Sequence, residues 1–264
     1  MWIQGIKGWF STYAEVVFSL RNKLGRVKLV VSDVDGTLTV SRSSFVLSCE
    51  AIEAISMLEQ HGIAVGLASG NSLPVLAGLG RYLGTSGPVI AENGCVVMIR
   101  RGDVVPLCSK SAREAAEVVS KELGLEPSWQ NRFRMYDYAL MVADYPREKI
   151  RELTAKANEI LRKRGYDDFY AFTSGFAIHI HPAEADKGTA LKYVASRLGL
   201  PLEMVAAIGD SSLDIALLKA AGVRVAVGDA DDELKHVADL VMKGFAGKGF
   251  AEFAYMLISA RKNV

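Results

Sequence analysis

Residues 29–38 constrain the fold of this chain more than any other segment. A run of leucine and valine leads into Ser32-Asp33-Val34-Asp35-Gly36, so two carboxylates follow an uninterrupted apolar stretch. Such a run is typical of a parallel strand that is buried on both faces. In an open α/β sheet the chemistry lies just beyond the carboxyl ends of these strands. The pattern therefore predicts an α/β chain with a functional site directly after residue 32.

The two acids at this turn predict a metal site. Asp33 and Asp35 repel each other and lose hydration, which is costly unless a cation or a shared proton compensates. The duller interpretation is that both are ordinary strand-end turn residues, where Asp is common. A calcium loop is excluded because residues 33–36 have no third acid before the glycine and no distal Glu follows.

Three later segments also place polar groups at strand–helix junctions. An apolar run ends in Ser69-Gly70-Asn71, where a hydroxyl and free N–H groups are suited to hold phosphate oxygens. Lys187 opens a helical pattern and can place a positive charge beside a phosphoryl group. The run at 205–209 ends in Asp210, and Asp214 follows four residues later. These groups predict one constellation of carboxylates, hydroxyl and lysine.

This order of motifs resembles the haloacid dehalogenase superfamily of phosphohydrolases, from residue 28 to the C-terminus. The superfamily carries DxDGT, a Ser or Thr after the second strand, a Lys and GDSxxD. The long insertion before Lys187 is similar to the cap of the Cof-type group, and residues 84–94 and 174–180 resemble archaeal phosphoglycolate phosphatases. One departure is Leu213, where many Cof-type relatives carry an Asn that supports the metal shell.

The elements predict three parts. Residues 28–92 and 183–264 alternate strand and helix, which predicts a Rossmann-like parallel-sheet core domain with helices on both faces. Residues 93–182 interrupt the series with a hairpin around residues 100–103, two helical patterns and three strand-like runs. We expect this segment, hairpin included, to form an inserted α+β cap domain.

Residues 1–27 are predicted to form a separate amphipathic helical extension. No apolar run there reaches the roughly 20 residues that span a bilayer, and a signal-peptide h-region and cleavage site are missing. Three interpretations stay open: a helix packed on the core or at an oligomer contact, an interfacial membrane helix, and a partner-docking arm. A homodimer is compatible with this arm and with exposed strand edges in the cap.

Charge and cysteine usage limit the partners and the compartment. The 264 residues include 31 Lys and Arg and 30 Asp and Glu, so the formal net charge of +1 provides no electrostatic footprint for nucleic acid. Cys49, Cys95 and Cys108 lie far apart without a CxxC pair. This spacing predicts three small core residues, no disulfide, and a reducing, cytoplasmic compartment.

The resemblance implies a Mg²⁺-dependent phosphatase. Asp33 would be the nucleophile that forms an aspartyl-phosphate, and Asp35 the general acid and base. The phosphoryl group would be bound by Ser69, Gly70, Asn71 and Lys187. The Mg²⁺ ligands would be Asp33, Asp35 through its backbone carbonyl, Asp210 and Asp214.

The implied substrate is a small phosphorylated metabolite, 2-phosphoglycolate, whose carboxylate needs a cation or amide donors from the cap. Arg132 and Arg134 are candidates, although both are also compatible with exposed charges. His179 and His181 share one face of a strand and are predicted to line the cap or its partner surface rather than bind a metal. A broader phosphatase for sugar phosphates or phosphoglycerate derivatives is a second interpretation. A phosphate- or Mg²⁺-sensing module is the third.

Overall fold

The structure is a computed structural model that describes residues 21–100 and 102–261. The strands of these residues are β1 Leu29–Ser32, β2 Ala64–Ala68, β3 Val89–Ala91, β4 Val96–Met98, β5 Val104–Pro106, β6 Tyr138–Met141, β7 Phe169–Thr173, β8 Ala177–Pro182, β9 Val205–Gly209, β10 Val223–Ala226 and β11 Leu240–Val241. The helices are α1 Cys49–Gln60, α2 Leu73–Leu83, α3 Arg113–Leu123, α4 Arg147–Lys163, α5 Lys187–Arg197, α6 Ile215–Ala220, α7 Asp232–Val237 and α8 Ala246–Arg261.

An eight-stranded sheet in the order β11-β10-β9-β1-β2-β3-β4-β5 forms the core. β1 lies between β2 and β9 and pairs with both in parallel, with Leu29 opposite Ala64 and Val205. The chain adds strands to one side of β1 first and to the other side later. Right-handed crossovers then place the two series of helices on opposite faces. The predicted α/β parallel-sheet core is confirmed, and the carboxyl ends of β1, β2 and β9 share one edge.

Helix α1 shows how the sequence builds this core. The side chain of Ser48 caps its start by accepting a hydrogen bond from the N–H of Ala51. The residues that α1 buries recur at helical spacing, and α1 packs against α8. The buried set is Ala51, Ala54, Ile55 and Leu58.

The β4–β5 hairpin differs from the prediction. We expected it in the inserted cap, but β4 pairs antiparallel with β3, and β5 with β4, so both strands extend the core sheet. The loop between β3 and β4 is too short for a crossover, so β4 must return alongside β3. A second hydrophobic cluster, separate from that of the core, begins only at Ala112.

Residues 112–182, called the cap below, contain a three-stranded antiparallel sheet in the order β6-β8-β7 together with α3 and α4. Ile178 and Ile180 of β8 belong to the hydrophobic cluster that α3 and α4 share with the sheet. Because side chains alternate along a strand, His179 and His181 lie on the opposite face of that sheet.

Cys95 and Cys108 are core residues as predicted, but the predictions of no disulfide and of a core position for Cys49 are wrong. Cys95 and Cys108 form a disulfide across the ends of the β4–β5 hairpin, and Cys49 is free and exposed. The hairpin brings the two Cα atoms to 4.9 Å, which is within the range that a disulfide requires. The hairpin itself was predicted, and the prediction of no disulfide failed because separation along the chain does not measure the distance across a hairpin.

Residues 21–26 are helical, and Leu24 packs in the core. The rest of the predicted N-terminal extension, residues 1–20, lies outside the described residues. Among the helices that the structure describes, none combines the length and the apolar character needed to span a membrane.

Candidate active site

The turn after β1 places the first acids. The N–H of Asp33 donates to the carbonyl of Ile208 in β9 at 3.0 Å, which fixes the turn against the neighbouring strand. The Asp33 carboxylate is buried and Asp35 is half-buried. Gly36 has a φ of 95°, and a Cβ there would lie 2.4 Å from Oδ2 of Asp210. Only glycine therefore fits between the two acid-bearing loops.

The turn after β9 places the second pair of acids. Oδ2 of Asp214 accepts hydrogen bonds from the N–H groups of Asp210 and Ser211, both at 3.2 Å, so the 3₁₀ turn Ser212–Asp214 points this carboxylate back toward the strand end. Asp33, Asp210 and Asp214 each offer a carboxylate oxygen, and these atoms lie within 4.8 Å of one another. Asp35 is not one of this group, so its predicted metal contact rests on its backbone carbonyl alone.

Lys187 joins two of these acids. Its Nζ donates to Oδ1 of Asp33 and to Oδ1 of Asp214, each at 2.7 Å, and its side chain is buried. Asp186 caps the start of α5 through a reciprocal pair of hydrogen bonds with Thr189. Burial works against the Lys187 charge, but Asp214 and Asp33 outweigh it and hold the pKa of Lys187 above its usual value.

The pKa values of Asp33 and Asp210 are raised, which indicates that the acid cluster has too little positive charge nearby to balance its carboxylates. Burial, and then the charge of Asp214, raises the pKa of Asp33 well above its usual value. Burial and Asp214 also raise the pKa of Asp210 to about 7, although Arg42 opposes the rise. Buried carboxylates with hard oxygen atoms this close together form a donor set that fits a divalent cation.

The turn after β2 offers groups suited to an anion. The Ser69 hydroxyl accepts hydrogen bonds from the backbone N–H of Asn71 at 3.1 Å and from its side-chain amide at 2.9 Å. Among the described residues it donates none, so its proton is available to a ligand. The N–H of Gly70 likewise has no acceptor among those residues. Asn71 was predicted to help bind the phosphoryl group, but its backbone N–H already donates to the Ser69 hydroxyl.

Asn71 instead links the acids to the cap through its side chain. Its Nδ2 donates to Oδ2 of Asp35 at 3.0 Å, and its Oδ1 accepts from Nε2 of Gln130 at 2.8 Å. Gln130 also accepts from the N–H of Ser72 at 2.8 Å, so the cap turn Trp129–Phe133 rests directly on this loop. Sequence reasoning missed Gln130, which carries no motif signal. Burial raises the pKa of Asp35, while Asn71 opposes the rise.

Arg42 was also missed. Its Nε donates to Oδ2 of Asp210 at 2.7 Å, and its Nη1 pairs with Asp231 at 2.8 Å. The loop after Gly36 is thereby held beside the acid cluster. A single Arg in a polar loop gives no sequence signal, because its acidic partners lie far along the chain, in the segment after β9.

Comparison with known proteins agrees with this geometry. The family model described as haloacid dehalogenase-like hydrolase matches residues 30–138 and 125–253, which together span most of the chain. The chain belongs to the haloacid dehalogenase-like hydrolases. The resemblance drawn from the motifs is therefore confirmed.

Two relatives and two solved structures show which members of the family this hydrolase is similar to. The phosphoglycolate phosphatase of Staphylothermus marinus is 37% identical over 234 residues, which cover 88% of this chain and 98% of that one. Phosphoglycolate phosphatase 1 of Saccharolobus solfataricus is 39% identical over 232 residues, covering 88% and 96%. The crystal structure of Thermoplasma acidophilum 0175 has a TM-score of 0.76 at 26% identity and covers 88% of this chain and 98% of that one. A haloacid dehalogenase-like hydrolase from Bacteroides thetaiotaomicron has a TM-score of 0.70 at 20% identity over 87% and 98%, which shows the shared fold.

The hydrolase has a second buried polar cluster, centred on Asp137 of the cap. Both oxygens of the Asp137 carboxylate are occupied: Oδ1 accepts from Arg134 at 2.8 Å and His179 at 2.7 Å, and Oδ2 from Asn93 at 3.1 Å and His181 at 2.9 Å. These five residues, called the Asp137 cluster below, are all buried. Burial opposes the charge, but the two histidines and Arg134 hold the pKa of Asp137 well below its usual value.

The structure also shows where the arginines and histidines singled out from the cap sequence lie. Arg134, a candidate for binding the substrate carboxylate, pairs with Asp137, while Arg132 is exposed. His179 and His181 are buried on the sheet face opposite the cap helices.

Glu92 ties the core to this cluster. Its carboxylate accepts hydrogen bonds from the backbone N–H groups of Met135, Tyr136 and Asp137, at 2.8 to 3.1 Å. Glu92 and Asn93 both have positive φ values, of 51° and 54°, which for residues other than glycine is an uncommon conformation. This turn holds Asn93 against the cap.

Proposed function

We propose that this protein is a Mg²⁺-dependent phosphatase that hydrolyses a small phosphate monoester, 2-phosphoglycolate, to glycolate and phosphate. One observation carries the proposal. Lys187 bridges Asp33 and Asp214, two of the three buried carboxylates, at the same edge of the sheet as the Ser69–Gly70 turn. The names of the relatives, phosphoglycolate phosphatases at 37% and 39% identity over nearly their full length, support the substrate.

The first step makes Asp33 the nucleophile. Oδ1 of Asp33 accepts from Lys187, whereas Oδ2 has no hydrogen-bond donor among the described residues and is free to attack phosphorus. As the new O–P bond forms, the bond from phosphorus to the ester oxygen breaks, and Asp35 gives its proton to that oxygen. The raised pKa of Asp35, caused by burial, favours the protonated form that this step needs.

The second step returns the enzyme to its starting state. A water molecule attacks the phosphorus of the aspartyl-phosphate, and Asp35 takes a proton from that water. The O–P bond to Asp33 breaks and phosphate leaves. In both steps the Ser69 hydroxyl, the Gly70 N–H and Lys187 stabilise charge on the phosphoryl oxygens.

Carboxylates of Asp33, Asp210 and Asp214, with the backbone carbonyl of Asp35, would hold Mg²⁺. The ion supplies positive charge that the cluster lacks, as the raised pKa values of Asp33 and Asp210 indicate. A cytoplasmic location is also part of the proposal, although the Cys95–Cys108 disulfide removes the cysteine argument for it.

The test is phosphate release by the purified full-length protein from a panel of esters. The panel contains 2-phosphoglycolate, 3-phosphoglycerate, a hexose phosphate and ethyl phosphate, each with Mg²⁺ and with EDTA. We expect a clear preference for 2-phosphoglycolate and loss of turnover in EDTA. Comparable kcat/KM values across the panel would favour the broader phosphatase, and no phosphate release from any ester would overturn the proposal.

A further inference from the structure

Two histidines of β8 share one acid but differ at the other ring nitrogen. Nδ1 of His179 and Nδ1 of His181 both contact the Asp137 carboxylate, at 2.7 and 2.9 Å. Nε2 of His181 is occupied by the carbonyl of Ala185 at 2.9 Å. Nε2 of His179 has no hydrogen-bond partner among the described residues. His181 therefore has a structural role at both nitrogens, whereas His179 keeps one nitrogen free for a ligand.

The free nitrogen also differs from the fully enclosed polar atoms. The fully buried side-chain polar atoms that lack a partner in the described part of the chain are Ser72 Oγ and Arg134 Nε. Nε2 of His179 is not among them, although the residue as a whole is only 4% exposed. Protein atoms therefore do not enclose this nitrogen completely.

Three contacts fix the His179 ring beside the proposed phosphate site. Its Nδ1 is held by Asp137, and one ring face stacks on Phe172 with centroids 5.3 Å apart and planes 8° apart. Its Cε1 edge packs so closely on Gly70 that a Cβ at position 70 would lie 3.2 Å from Cε1. Cε1 lies between the two ring nitrogens, so this edge of the ring faces the turn that carries Ser69 and Gly70.

The ring also lies near the proposed acid. Gly70, on which the ring packs, precedes Asn71, and Nδ2 of Asn71 donates to Oδ2 of Asp35 at 3.0 Å. In the proposed reaction Asp35 gives its proton to the ester oxygen. The carboxylate of 2-phosphoglycolate lies one methylene group beyond that oxygen. A ring that packs on the turn beside Asp35 is therefore suited to contact that carboxylate.

We propose that Nε2 of His179 binds the carboxylate of the leaving group and so selects esters that carry one. This inference rests on the proposed phosphatase function. Asp137 positions the ring through Nδ1, which leaves Nε2 as the nitrogen whose N–H would donate to an anion. Arg134 instead donates from its Nη1 to Asp137 at 2.8 Å, and no contact within the described part of the chain places Arg132 at the site.

The test compares two esters with the same number of carbon atoms, 2-phosphoglycolate and ethyl phosphate, in which a methyl group replaces the carboxylate. The variant is His179→Asn, because the Asn amide can still donate to Asp137 while the distal nitrogen is lost. His181→Asn is the matched control. We expect H179N to lower the preference for 2-phosphoglycolate over ethyl phosphate, as a ratio of kcat/KM values, by about 10- to 100-fold, since a hydrogen bond to a charged group is lost. H181N should leave this ratio within about twofold.

Binding supplies a second measurement that does not depend on turnover. In an Asp33→Asn background, H179N should weaken calorimetric binding of 2-phosphoglycolate by about tenfold or more without a similar effect on ethyl phosphate. If H179N does not fold, His179→Leu, which has no polar atom at the distal position, replaces it in both measurements.

The outcomes separate the inference from the function. If the wild type prefers 2-phosphoglycolate and H179N keeps the full preference, the inference is wrong and the proposed function stands. The inference is also wrong if Arg134→Gln removes the preference and H179N does not. If the wild type shows no preference between the two esters, both the proposed substrate and the inference fail.

Discussion

The acid cluster of the core and the Asp137 cluster of the cap use similar residues with opposite charge balance. In the core, three carboxylates share Lys187, and Arg42 reaches Asp210. In the cap, one carboxylate receives four donors. Burial, which disfavours the charge at both places, is reinforced by neighbouring acids at Asp33 and overcome by cations at Asp137. The pKa therefore rises in the core and falls in the cap.

This difference separates a site prepared for ligands from one that is already complete. Added positive charge would relieve the core cluster, whereas the Asp137 carboxylate has no oxygen left to satisfy. The repelling acids of the core cluster therefore lower the stability of the fold but prepare the site for catalysis. The Asp137 cluster instead holds the cap sheet together and orients His179. If this contrast is right, substitutions of the two acids should have opposite effects on stability and activity.

The largest effect is expected from Asp33→Asn. The amide cannot form the aspartyl-phosphate, so kcat should fall by at least about 10⁴-fold. Thermal unfolding without Mg²⁺ should shift little or toward higher temperature, because one of several repelling charges is removed. Phosphate release and calorimetry measure the two effects, with Asp167→Asn, away from the acid cluster, as control. A variant that retained most of its turnover would contradict the nucleophile assignment.

The reverse pattern is expected from Asp137→Asn. This change leaves Arg134 and His181 without their buried anionic partner, which should cost about 3–5 kcal/mol of stability. Denaturant unfolding measures the loss, and the exposed cap acid Asp144→Asn is the control. A D137N protein as stable as the wild type would mean that the Asp137 cluster does not hold the cap, and the contrast between the two clusters would fail.

The sequence predicted the core cluster well because its members end consecutive buried strands. β1, β2 and β9 are adjacent and parallel, so Asp33, Ser69 and Asp210 must meet at one sheet edge wherever the insertion lies. Lys187 follows the same logic, since it opens the helix that returns from the cap. These positions need only strand order, which local patterns and the family resemblance supply.

The Asp137 cluster could not be predicted from the sequence, because its members do not end consecutive strands. Asn93, Asp137 and His179 come from a core turn, a loop and a strand, and no pattern links their spacing. His179 and His181 were placed on one strand face, but their shared acid could not be named. The β4–β5 hairpin was assigned to the cap because a short antiparallel pair has the same local pattern in either sheet.

The smallest predicted effect is a pH dependence at His181. Burial lowers its pKa, but the hydrogen bond and charge of Asp137 outweigh burial and raise it. A histidine with a raised folded-state pKa adds stability that is fully present below the unfolded value of about 6.5 and is lost as pH rises through the folded value. Asp137 has a lowered pKa, so its own contribution is lost only in acid. The difference in Tm between wild type and His181→Asn should therefore shrink as the pH rises above about 6.5 and through the folded-state pKa of His181.

Comparing two proteins at each pH isolates this one group. Asp210, with a pKa raised by burial to about 7, titrates in the same range but is present in both proteins, so its contribution cancels. The exposed His236→Asn variant should differ from the wild type by a small, constant amount. A Tm difference for H181N that stays constant across the range would mean that His181 is neutral throughout. The Asp137 cluster would then be held by Arg134 as its principal cation, and the charge contrast with the core would rest on one residue fewer.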